Sequence, residues 1–216
     1  MKTRNKALVL TLCAVLLVVA TVMGTMAYLT STDSVTNAFT VGKVAITLDE
    51  ARVNPNGTLV YENDGTTPVA RVKENEYKLI PGHSYTKDPT VHVAADSENS
   101  YIFVKVENGI AAYEAATETT EGGYKKIADQ ITDKGWTALT DVGNVYYKEY
   151  TSQNTAADLK VFENFKIADN ANANDNWNNI TAQNTKIIVT AYAVQKEGFA
   201  NAKAAWDATF GKTANP

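Results

Sequence analysis

Tyr101-Ile102-Phe103-Val104-Lys105-Val106-Glu107 is the cleanest alternation in the chain. Ile102, Val104 and Val106 fall on one side, and Tyr101, Phe103 and Lys105 on the other. That is the period-two signature of a β-strand. Thr185 to Val194 is a second strong strand, apolar on both faces, which predicts a central and buried position. Thr90 to Ala94 predicts a third. Phe39 to Leu48 alternates in two phases, with Gly42-Lys43 at the change, where a bulge would re-aim the side chains. Asn54-Pro55-Asn56-Gly57 and Asn63-Asp64-Gly65 are turns, and they bracket a short strand at Thr58 to Tyr61. Pro81-Gly82 opens a loop that Asp88-Pro89 ends. Trp136 to Leu139 and Val145 to Tyr150 read as a hairpin around Asp141-Val142-Gly143-Asn144. Leu159 to Ile167 reads as one strand, bent at Glu163-Asn164.

Helical composition is confined to three stretches. Ile110 to Thr117 and Lys125 to Asp133 predict short helices inserted between strands, with Glu121-Gly122-Gly123 between them. Phe199, Ala202, Trp206 and Phe210 fall on one face of a C-terminal amphipathic helix that Gly211 ends. Roughly seven to nine strands without βαβ alternation predict a mainly β fold. The expected architecture is an antiparallel jelly-roll-type sandwich with short inserted helices and a C-terminal amphipathic helix.

The amino terminus concerns destination. Lys2, Arg4 and Lys6 precede an apolar run from Ala7 to Met23, followed by Gly24-Thr25-Met26-Ala27-Tyr28. Basic, apolar, then small residues at Thr25 and Ala27 is the layout of a secretory signal peptide over 1–27, with cleavage before Tyr28. An uncleaved anchor is the alternative, since Ala7 to Leu29 is long enough to span a bilayer. Cleavage would leave 189 of the 216 residues and remove three basic and no acidic side chains, taking the net charge from −4 to −7. An acidic chain without a basic stripe argues against a nucleic-acid partner. The single cysteine, Cys13, lies in the apolar run. The expected mature chain therefore relies on a sizeable core rather than on disulfides. Residues 28–38 are rich in Thr and Ser, β-prone and poor in core-forming side chains. They read as an arm before the domain at 39–216.

The catalytic inventory is thin, and the chain is expected not to be an enzyme and to need no cofactor. It has no His-Glu-x-x-His, Gly-x-Ser-x-Gly or Gly-rich phosphate loop. His83 follows Pro81-Gly82 and reads as a turn residue; His92 reads as an outward-facing strand residue. A two-histidine metal site completed by Asp88 or Asp96 has the right ligand types, but nothing in the spacing favours it. The loop from Asp169 to Asn179 has oxygen-bearing side chains at Asn170, Asn172, Asn174 and Asn176, and calcium takes oxygen ligands. It lacks the Gly and distal Glu of an EF-hand and reads as a solvated loop.

Met26-Ala-Tyr-Leu-Thr-Ser-Thr-Asp33, then Asn37-Ala-Phe-Thr-Val-Gly-Lys-Val44 and Ile46-Thr-Leu48, resembles the start of the TasA/camelysin-like (BsaA-like) secreted biofilm-matrix proteins of Gram-positive bacteria. Leu79-Ile-Pro-Gly-His-Ser-Tyr-Thr-Lys-Asp-Pro89 resembles a Pro-Gly-x-x-x-x-Lys-Asp segment of the same family. Ala191-Tyr-Ala-Val-Gln-Lys-Glu-Gly-Phe199 and Ala204-Ala-Trp206 resemble its closing strand and helix. The resemblance implies a jelly-roll subunit, processed by a SipW-type signal peptidase, that polymerises with itself into extracellular matrix fibres. Accessory matrix proteins are implied as further partners. In such fibres the N-terminal arm of one subunit fills a strand position in its neighbour. That arm corresponds to 28–38, with Tyr28, Leu29, Val35 and Ala38 as its apolar and small contacts. The camelysin branch implies a rival reading as a cell-surface metallo-endopeptidase, for which no zinc motif carries over. A monomeric surface-binding domain is a third reading.

Overall fold

The structure, a computed structural model, describes residues 6, 12–17, 43–152, 155–171, 177, 180 and 185–211. The chain divides into two compact units, Met1–Val41 and Gly42–Pro216. In the first, residues 12–17 are helical, and Leu12, Val15, Leu16 and Leu17 are exposed. No helix among the described residues is long and apolar enough to cross a membrane. Thr25, Ala27, the arm residues Tyr28, Leu29, Val35 and Ala38, and the bulge at Gly42 lie outside the described residues.

The second unit is mainly antiparallel β. Its strands are β1 (Ile46–Asp49), β2 (Ser84–Thr86), β3 (Thr90–Val93), β4 (Ser100–Asn108), β5 (Thr137–Ala138), β6 (Val145–Tyr150), β7 (Ala157–Lys160), β8 (Asn164–Lys166) and β9 (Ile187–Gln195). Among the described residues they form three sheets, ordered β1-β3-β7, β2-β8 and β5-β6-β4-β9.

The two phases of β4 face two separate apolar clusters. Ile102, Val104 and Val106 enter a main core with Val91 and Val93 of β3, Phe165 of β8, and Trp136. Tyr101 and Phe103 point to the opposite face, where they meet Val194, Ala202 and Ala205. The C-terminal helix, Ala202–Thr209, covers that second face. Its start is set by Asn201, whose side-chain oxygen accepts from Ala204 N at 2.9 Å, a residue type suited to capping. Trp206 and Phe210 lie 5.2 and 6.5 Å from the Phe103 ring. Phe103, fully buried beneath these half-buried rings, stabilises the fold by roughly 1.5–3 kcal/mol.

The helix over Lys125 to Asp133 is present as Ile127–Asp133. The hairpin around Asp141–Asn144 is present too, with Asp141 and Asn144 at φ 60° and 59°. Four other expectations are corrected. Ile110 to Thr117 is not helical, because its backbone is drawn into pairing with β8: Ala115 N donates to Lys166 O at 2.8 Å and Ala168 N to Tyr113 O at 2.9 Å. Thr58 to Tyr61 is reduced to isolated bridges, Val53 with Leu59 and Tyr61 with Pro68. The Asn54 side chain there accepts from Asn56 N and Thr58 N, offering the backbone an alternative to a ladder. The loop from Pro81 to Pro89 contains β2. Leu159 to Ile167 is not one bent strand, since β7 and β8 belong to different sheets.

A fifth correction concerns Thr185 to Val194. The strand exists as β9, yet it stands at the end of the order β5-β6-β4-β9 rather than at its centre. Its inner face packs on the main core, and on its outer face Tyr192 lies under Trp206 and Phe210 while Ile188 is exposed. Apolar side chains on both faces make an edge strand look central, because side-chain polarity reports faces and not hydrogen-bonding neighbours.

Candidate functional site

The ladder of β9 shows which of its edges is left without a partner among the described strands. Lys186 O accepts from Gly109 N at 2.9 Å, and Lys196 N donates to Asn99 O at 2.8 Å, both toward β4 and its flanks. Backbone polar groups of an antiparallel strand alternate sides with each residue. The groups of Ile187, Val189, Ala191, Ala193 and Gln195 therefore point away from β4, where no described strand pairs with them. Their side chains, Gln195 excepted, pack on the main core.

The opposing edge of β1 is blocked. Glu50 and Val72 exchange backbone bonds of 2.9 and 2.8 Å, and the Lys73 ammonium donates to the Leu48 carbonyl. Covering an edge in this way suppresses unwanted pairing. Between β1 and the start of β9 lies a cleft of about 1000 Å³. Leu48, Tyr77, Leu79, Ile110, Phe165 and Val189 give it apolar walls. Ile188 at its mouth is 43% exposed.

A buried polar cluster shares the cleft. Glu50 and Lys87 are 4% and 9% exposed, and Lys87 Nζ lies 2.5 Å from Glu50 Oε2. Asn75 Nδ2 donates to Glu50 Oε1 and to Ala51 O, each at 2.9 Å, and Asn75 Oδ1 accepts from Val53 N at 2.9 Å. Lys87 Nζ also lies 5.8 Å from the Tyr77 ring centroid. Burial, then the charges of Glu50 and Asp88, push the Tyr77 phenol well above its ordinary value. Its hydroxyl donates to Thr86 O at 3.1 Å. Lys87 belongs to the Pro-Gly-x-x-x-x-Lys-Asp segment of the sequence but was given no role there, and neither Glu50 nor Asn75 was singled out from sequence. One signal was there: Ile46, Leu48 and Glu50 share a strand phase, so a carboxylate stands at a core-facing position.

A second network holds the histidine of β3. His92 Nε2 is 2.9 Å from Asp49 Oδ1, and Nδ1 is 2.6 Å from Asp158 Oδ1. Arg71 pairs with Asp49 and, at 3.0 Å, with Asp88. The reading of His92 as an ordinary outward residue is thus incomplete, for it ties β1 to β7 across β3. The hydrogen bond to Asp49 holds the His92 pKa above its ordinary value; burial opposes the shift and Asp158 adds to it. Burial opposes ionisation of Asp49, but Arg71 and His92 outweigh it and hold that carboxyl low.

The signs give a pH window. The His92 contribution is complete below its unfolded value of 6.5 and is lost as pH rises through the higher folded value. The Asp49 contribution is present above 3.8 and is lost as pH falls through its lower folded value. Thermal unfolding should therefore show stability declining as pH rises above about 6.5, by at most about 1.4 kcal/mol per pH unit. His92→Asn should flatten that slope; an unchanged slope in the variant would reject the assignment.

The two-histidine metal arrangement is not assembled. His83 Nε2 lies 2.8 Å from Asn56 O, and its ring packs edge-on against Tyr85. Asp88 is engaged by Arg71 and Asp96 by Lys43. Among the described residues, no group of three or more His, Cys, Asp or Glu side chains is placed to hold a metal ion. Asn172, Asn174 and Asn176 of the calcium reading lie outside the described residues. No protein-family model, no curated protein and no solved structure matches the chain.

Proposed function

We infer that the chain is a secreted structural subunit of extracellular biofilm-matrix fibres, a jelly-roll-type domain that polymerises with its own copies. The single observation that carries this reading is the edge of β9 that no described strand pairs with, nine residues long with a core-packed inner face. An extended segment can add there through main-chain bonds with few demands on its own sequence. The arm 28–38 has the reach: eleven extended residues span about 36 Å, and nine residues of β9 span about 30 Å. The β1 edge is already covered by Val72 and Lys73, and β9 offers nine residues for pairing where the other edge strands, β7, β2, β8 and β5, offer four or fewer. A head-to-tail contact of this kind does not close on itself and generates a filament.

Export would release the arm. Cleavage between Ala27 and Tyr28 by a SipW-type signal peptidase frees the arm's amino end at the moment the chain leaves the cell. N-terminal sequencing of secreted material should read Tyr28-Leu-Thr-Ser. Negative-stain microscopy of that material should show filaments of uniform width. A product that starts at Tyr28 and stays monomeric at high concentration would reject the fibre reading.

A further inference from the structure

Glu50 touches, with its two oxygens, the two nitrogens that a Lys–Asn condensation exchanges: Lys87 Nζ at 2.5 Å and Asn75 Nδ2 at 2.9 Å. We propose that Lys87 and Asn75 become joined by an intramolecular isopeptide bond, with Glu50 as the proton carrier. The inference rests on this cluster alone and is independent of the fibre reading.

The orientation of the Asn75 amide is set by its partners. Val53 N–H can only donate, so it faces Oδ1, and Ala51 O can only accept, so it faces Nδ2. Both charged partners are shielded from water, Glu50 at 4% and Lys87 at 9% exposure. The nucleophile has to be the neutral amine, so in the first step one proton passes from Nζ to the Glu50 oxygen it touches. The Nζ lone pair then attacks Asn75 Cγ. Negative charge develops on Oδ1, where the Val53 N–H already points.

Collapse needs a proton on the leaving nitrogen and the loss of one from Nζ. Glu50 is in reach of both, donating to Nδ2 from one oxygen and accepting from Nζ at the other. The Nζ–Cγ bond forms, the Cγ–Nδ2 bond breaks with its electron pair on nitrogen, and ammonia departs. Glu50 ends protonated and can donate to the new amide. No oxidant, reductant or cofactor enters the balance. Ammonia leaves by the adjoining cleft, which Glu50, Asn75 and Lys87 all line. The chain has one cysteine and so can form no internal disulfide; this bond would supply a covalent staple that reducing agents do not cut.

Intact mass of the folded protein, with its N-terminus fixed by sequencing and its fold checked by circular dichroism, decides the matter. The expected mass is about 17 Da below that of the sequence, one ammonia. Trypsin should fail to cut after Lys87 and should yield a branched peptide carrying Glu74–Lys78. Glu50→Gln should restore the full mass. Asn75→Asp should lose water instead and converge on the wild-type product mass. Folded wild-type protein at full mass would overturn the proposal and leave an ion pair only. A loss that persists in Lys87→Arg would also overturn it, placing the missing ammonia elsewhere, such as cyclisation at Asn56-Gly57.

Discussion

A chain that starts at Phe39 should stay folded and monomeric at concentrations where the chain that starts at Tyr28 forms filaments. Every strand of the second unit lies after residue 39, so truncation removes no described core side chain. What it removes is the segment proposed to pair with β9. That segment would gain about 1 kcal/mol net for each ladder bond, and Leu29 and Val35 would each gain roughly 1.5–3 kcal/mol if buried. Ordering the arm costs about 1–2 kcal/mol per residue, so gain and cost are of similar size and the junction should be sensitive to single bonds. Ala191→Pro tests this from the acceptor side. The Ala191 N–H points to the open edge, so proline there deletes a donor for the incoming strand and spares the ladder to β4. It should weaken association at least about tenfold, while the larger ring at this core-packed position costs about 1–3 kcal/mol of stability. Ser31→Pro or Ser34→Pro should do the same from the donor side. Light scattering and negative-stain microscopy at matched concentration give the readout. Identical filaments from the Phe39 chain would end the donor-arm mechanism.

Gly57→Ala should destabilise the domain by about 2–5 kcal/mol. Gly57 sits at φ +76°, and a Cβ there would lie 2.6 Å from the backbone Cα of Tyr85. Left-handed backbone costs a residue with a Cβ about 1–2 kcal/mol, and overpacking against fixed backbone adds about 1–3 kcal/mol. The turn cannot drift away, because Gly57 O accepts from Thr86 N at 3.0 Å and Gly57 N donates to Asn54 O at 2.8 Å. Tyr85 is itself pinned between a stacked Phe165 ring at 4.8 Å and the Lys78 carbonyl at 2.6 Å. Gly65→Ala separates the two costs. Gly65 has φ +70° and nothing within 4 Å of a built Cβ, so only the backbone cost of about 1–2 kcal/mol should remain. Urea unfolding of both variants measures the difference. Equal losses at the two glycines would show that contact with Tyr85 contributes nothing.

Local chemistry was legible in the sequence wherever a residue's own geometry decides the outcome. The turn glycines Gly57, Gly65 and Gly82 all carry positive φ, as their Asn, Asp and Pro neighbours indicate. The two phases of Tyr101 to Glu107 separate into two clusters as read, and Ala202, Trp206 and Phe210 share the helix face that covers the second one. Pairing was not legible. The break at 161–163 looked like a bend, because Val161 and Phe162 are as buried as the strands beside them while the chain passes between sheets. The position of β9 at an edge was hidden for the same reason: its side chains are apolar on both faces, while backbone donors and acceptors are alike at every residue. Glu50 meets Asn75 across 25 residues and Lys87 across 37. Only folding brings those three together, since no local period links them. Residue type and spacing determined which faces are apolar and where the chain turns. Tertiary structure decided which strands are neighbours, which edge stays open and which buried charges meet, because those depend on contacts between segments far apart in the chain.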